Sequence, residues 1–62
     1  MNETIIRRPN GSIIGCIRYL EAQIEARTPG GVLLGWYDRA SDQTRRTNGE
    51  LVALGNAVQT LL

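Results

Sequence analysis

The chain has 62 residues, a formal net charge of +1, seven arginines, no lysine, no histidine and one cysteine. A single cysteine excludes an internal disulfide, and without histidine neither a Ser-His or Cys-His dyad nor the usual structural zinc set can be assembled. The near-zero charge argues against a strong electrostatic pull toward nucleic acid or anionic membrane.

So short a chain makes one domain, 1–62, and folding hides only about 60% of the surface that its unfolded form exposes. With no disulfide or metal to add stability, a second copy is the simplest supplement. The opening "MNETIIRRPNG" lacks a basic segment followed by a long apolar one, and no apolar run approaches the roughly 20 residues of a membrane helix. A soluble, cytoplasmic protein is expected.

"RRPNG" at 7–11 returns as "RRTNG" at 45–49, and between them "TPGG" at 28–31 holds the same place. Gly11, Gly31 and Gly49 each lead, one residue later, into an apolar run: "GSIIG", "GVLLG" and "GELVA". Arg7, Arg27 and Arg45 fall at matching positions upstream, and Gly15, Gly35 and Ala53 downstream. A register held this long in three copies is an internal repeat. Asn-Gly between apolar segments is the strongest short-range hairpin signal. Three hairpins are predicted: 3–9 with 12–19, 22–28 with 32–38, and 42–47 with 50–54, joined by "LEA" and "RASD". The fold class is therefore all-β, with repeat units over about 3–19, 22–38 and 42–54.

"CIRYLEAQIEAR" competes with this reading, because it is rich in helix formers and spaces Ile17, Leu20 and Ile24 as a helix would. The repeat decides for strand: "QIEARTPGG" stands where "TIIRRPNG" stands in the first copy. The last residues, "NAVQTLL", lie outside the repeat. Asn56 is a plausible N-cap, and Val58, Leu61 and Leu62 share one helical face, so a short helix over about 56–62 packed on the sheet is expected.

A two-residue type I′ turn at Asn10-Gly11 would pair Arg8 with Ile13, Arg7 with Ile14 and Ile6 with Gly15. The third hairpin would likewise pair Arg46 with Leu51 and Arg45 with Val52. One face then carries Ile13, Leu33 and Leu51 with Gly15, Gly35 and Ala53. The other carries Ile14, Leu34 and Val52 with Cys16, Trp36 and Leu54. Strands apolar on both faces are the mark of a sheet covered on both sides. One face can close the chain's own core and the second can meet another subunit.

The repeated G-x-I/L-I/L-G pattern resembles that of small bacterial and phage-borne proteins of uncharacterised function built from short hairpin units. "YDRASDQTRRTNG" is more loosely similar to the YD repeats of Rhs-type shells, although Tyr37-Asp38 occurs once here. The resemblance implies a hairpin-repeat fold and brings no catalytic motif with it.

Cys16 aligns with Trp36 and Leu54, which suits a small core hydrophobe. Glu21 with Glu25, and Asp38 with Asp42, fall at links or exposed strands and read as solvated charge. No catalytic, cofactor-binding or metal-binding residue emerges, and an enzyme is not expected. Arg7, Arg27 and Arg45, with Arg8 and Arg46 beside the same turns, are candidate contacts for an anion or an acidic partner. They can equally pair with Glu3, Glu25, Asp42 and Glu50 and protect sheet edges. Trp36, Val58, Leu61 and Leu62 are candidate subunit-interface residues. The expected function is a non-enzymatic structural or protein-interaction module acting through self-association, most simply as a homodimer. The alternative is an anion- or nucleic-acid-binding module using the arginines.

Overall fold

In the computed structural model, which describes residues 2–62, three hairpins lie edge to edge in one antiparallel sheet. The strands are β1 (Asn2–Arg7), β2 (Ile13–Tyr19), β3 (Gln23–Arg27), β4 (Leu33–Asp38), β5 (Gln43–Arg46) and β6 (Leu51–Leu54). Each pairs with its neighbour in sequence, so the sheet order is the chain order. Residues 16–27 are the end of β2, a tight link and β3, as the repeat predicts. Helical propensity there yields to packing. Ile17 sits opposite Ala26 and Tyr19 opposite Ile24, which buries Ile17, Ile24 and Ala26 together.

The turns differ from the predicted two-residue form. Arg8 N–H donates to Ser12 O at 2.8 Å and Gly11 N–H to Arg8 O at 2.9 Å. The same two bonds recur as Thr28 to Val32 with Gly31 to Thr28, and as Arg46 to Glu50 with Gly49 to Arg46. The positive φ falls only on the last loop residue, Gly11 (90°), Gly31 (93°) and Gly49 (88°), not on the residue before it. These are three-residue loops closed by a left-handed glycine, the next commonest hairpin connection. Asn10 and Asn48 use their side chains instead, accepting from Ser12 N–H at 3.0 Å and Glu50 N–H at 2.9 Å.

The loop's extra residue shifts the pairing by one, and a bulge shifts it back. Arg7 faces Ile13 while Ile6 faces Gly15, and irregularities at Ala26/Arg27 and Thr44/Arg45 repeat the pattern. The predicted pairs Arg7–Ile14, Arg8–Ile13, Arg46–Leu51 and Arg45–Val52 are therefore replaced, whereas Ile6–Gly15 holds. As a consequence Ile13, Leu33 and Leu51 share a face with Cys16, Trp36 and Leu54, and the bulged Leu34 joins the core.

The expected helix over 56–62 is one 3-10 turn, η1 (Val58–Leu61). Seven residues cannot sustain an α-helix alone, and anchors on the sheet shape this tail instead. Gly55, at φ 80°, turns the chain off β6, and its N–H donates to Asp42 O at 2.7 Å. The Thr44 hydroxyl donates to Gly55 O at 2.7 Å and accepts from Ala57 N–H at 2.9 Å. Asn56 does not cap the turn; its Oδ1 accepts from Val58 N–H at 3.2 Å, and Ala57 occupies the cap position. The turn packs on β3 and β4, and Val58 completes the core with Ile17, Ile24 and Ala26.

Candidate functional site: the open sheet face

The tail covers one face of the sheet, and nothing among the described residues covers the other. Strand alternation and the pairings place a row on this open face running Glu3, Arg18, Glu25, Trp36, Arg45 and Leu51, one residue per strand. Beside it runs Ile5, Cys16, Arg27 and Leu33. Cys16, Leu33 and Trp36 are half-buried, whereas Ile5, Ile13, Leu51 and Leu54 are exposed, Leu54 to 76%.

The repeated arginine is a brace for its own turn. Arg7 Nη1 donates to Gly11 O at 3.1 Å, Arg27 Nη1 to Gly31 O at 2.9 Å and Arg45 Nη1 to Gly49 O at 2.8 Å. Two of the three also hold the side chain two residues back. Arg27 Nη2 reaches Glu25 Oε1 at 2.8 Å, and Arg45 Nη2 reaches Gln43 Oε1 at 2.8 Å. Arg8 and Arg46 are more loosely held, by Ser12 Oγ at 3.5 Å and by Glu50 at 3.4 Å. Arg46 lies opposite Gly35, away from the open face.

Glu25 is the buried charge of this face, 7% exposed. Burial alone would raise its pKa, but hydrogen bonds from Arg27 and Gln23 and the positive charges of Arg27 and Arg18 outweigh that, and it is lowered. Gln23 Nε2 donates to it at 2.7 Å. At the far end of β4, Tyr37 donates to Asp42 Oδ1 at 2.6 Å, a bond that raises the phenol's pKa.

Of the four expected subunit contacts, only Trp36 lies on the open face. Val58, Leu61 and Leu62 pack on the chain's own covered face, Val58 buried and the other two partly so, with Leu62 over Gly15 and Leu61 over Gly35. The two-residue turn puts Ile13, Leu33 and Leu51 on the face opposite Trp36, whereas the structure gathers them, with Ile5, on the same face as Trp36. The signal was present: Pro9 and Pro29 suit the first central position of a three-residue loop, and that loop alone sets the face. A cleft of about 420 Å³ between Ile17, Tyr19 and residues 56–60 adds no cluster of ionisable groups. Among the described residues no group of three or more His, Cys, Asp or Glu could hold a metal ion, and no helix is long and apolar enough to cross a membrane. Comparison with known proteins finds no matching family model, curated protein or solved structure.

Proposed function

We propose that the protein is a non-enzymatic interaction module that works by self-association, its open sheet face packed on a second copy. The observation that carries this reading is the uncovered, half-apolar face centred on Trp36. Burial supports it: the molecule measures 35 × 23 × 18 Å, so its broad face offers about 800 Å², the footprint each partner gives to a standard interface. A buried tryptophan beside arginine is the common composition of an interface anchor. The polyanion reading has less behind it. Each of Arg7, Arg27 and Arg45 already donates to a turn carbonyl, and Glu25 sits in the middle of the face.

Light scattering across a concentration series tests this. A mass of two or more chains is expected, with a melting temperature that rises with concentration because folding and association are coupled. Trp36→Asp should leave the chain folded and lower the mass by breaking the face contact. A monomeric wild type at high concentration with a concentration-independent melt would overturn the proposal. Salt-sensitive capture on heparin by that monomer would favour the arginine alternative.

A further inference from the structure

The two edges of the sheet are not alike. β6 is four residues long, and the chain turns away from it at Gly55. β1 is six residues long, contains no proline and is paired only on the β2 side. Its repeat counterparts, β3 and β5, have neighbours on both sides. An exposed strand edge of this length is a template for another strand unless something blocks it.

The side chains of β1 are also incomplete in a way that their counterparts are not. Arg27 has Glu25 two residues back, and Arg45 has Gln43. Arg7 has Ile5 there, so among the described residues its guanidinium bonds only Gly11 O. Glu3, on the same face, meets only Arg18 among the described residues, at 3.4 Å, with both side chains well exposed. The strand thus carries one under-used cation and one under-used anion, four residues apart, with the exposed Ile5 midway.

We propose that β1 pairs antiparallel with β1 of a second copy, centred on Ile5. Two like edges that run antiparallel are related by a twofold axis normal to the sheet, so opposed residues must come from the same face. That leaves few registers. Centring on Thr4 sets Glu3 against Ile5, and centring on Ile6 sets Ile5 against Arg7. Centring on Ile5 sets Ile5 against itself, Thr4 against Ile6 and Glu3 against Arg7, the last pair occurring twice. Only this register joins opposite charges directly across the strands, where they stabilise a pair and like charges destabilise it. The product is a twelve-stranded sheet with both open faces on the same side, so edge pairing joins one copy and face packing another, and the two contacts coexist in an assembly of four chains. The inference rests on the self-association reading and specifies one of its contacts.

Charge reversal tests it on the full chain, with circular dichroism to verify folding. Glu3→Arg and Arg7→Glu should each weaken dimerisation about tenfold or more, because each opposes like charges twice. The double variant, Glu3→Arg with Arg7→Glu, should restore it. Ile5→Lys, at a position 49% exposed, should dissociate the pair without unfolding the chain. Dissociation by Trp36→Asp with indifference to both reversals would overturn the β1 pairing and leave self-association standing. Weakening by both single reversals without restoration in the double variant would overturn the Ile5-centred register. A monomeric wild type would overturn both proposals.

Discussion

The two faces of this sheet come from one repeat, yet they are completed by different means. On the covered face, small residues (Gly15, Ala26, Gly35 and Thr44) make room among Ile17, Ile24 and Tyr37 for a tail laid over them. Repeat position 6, 26 and 44 of this face holds Ile6, Ala26 and Thr44, and the three suit the path of the tail. Ile6 is large and stays partly buried at the core's margin, Ala26 is sealed within the core, and Thr44 supplies the hydroxyl that anchors residues 55 and 57. The open face is made instead of long side chains that hold one another. Arginine braces a turn, then a neighbour, and leaves apolar surface between. Strength on the first face comes from close approach, and on the second from satisfied charge.

Crowding the covered face should break the fold with the largest effect. A Cβ on Gly35 would collide with the carbonyl oxygen of Arg45 and stand 2.6 Å from Leu61 Cδ1. Backbone cannot retreat as a side-chain tip can, so Gly35→Val should cost about 3 kcal/mol or leave the chain unfolded, read by urea denaturation. On the open face, Leu33→Ser should cost only about 1 kcal/mol, since that side chain is already half in water. Equal losses at the two positions would erase the contrast.

Removing the tail's anchor comes next. Thr44 is fully buried, and its hydroxyl serves both Gly55 O and Ala57 N–H. Thr44→Val keeps the shape and leaves both backbone groups without that partner, for an expected loss of about 2 kcal/mol. Amide hydrogen exchange should quicken at Ala57 and Val58 before it quickens in β2 or β3. Unchanged protection at the tail would mean that Val58 alone holds it down.

The contrast between faces was half legible in the sequence. The three-fold repeat, the hairpins and the strand conformation of 16–27 follow from where the glycines fall, because a left-handed residue is needed at one fixed place per turn. The place of Gly15 and Gly35 under bulky side chains was readable too, since glycine inside a strand weakens it unless something must come close. Which apolar residues share a face was not readable from Asn-Gly alone. A two-residue turn and a three-residue loop use the same pair of letters and send Ile13, Leu33 and Leu51 to opposite sides. The tail's destination was hidden for another reason. Val58, Leu61 and Leu62 suit a partner's surface as well as the chain's own, and the buried Thr44, which settles it, looks like any strand threonine.

The smallest effect expected is an acid limb that belongs to the open face. Glu25 ionises below its ordinary value of 4.5 in the folded chain: burial resists the charge, but Arg27 and Gln23 hydrogen bonds and the Arg27 and Arg18 charges prevail. A carboxyl whose folded pKa is depressed contributes stability above its unfolded pKa and loses it as pH falls through the folded value. Stability should therefore be level near neutrality and decline with acid from about pH 4.5 downward. Glu25→Gln should flatten this limb and lower stability at pH 7, because Arg27 Nε and Nη2 would lose the charge they now meet at 3.1 and 2.8 Å. Thr44→Val, on the other face, should lower the whole curve without changing its shape. An acid limb equally steep in Glu25→Gln would assign it to other carboxylates and deny the open face its charge-held character.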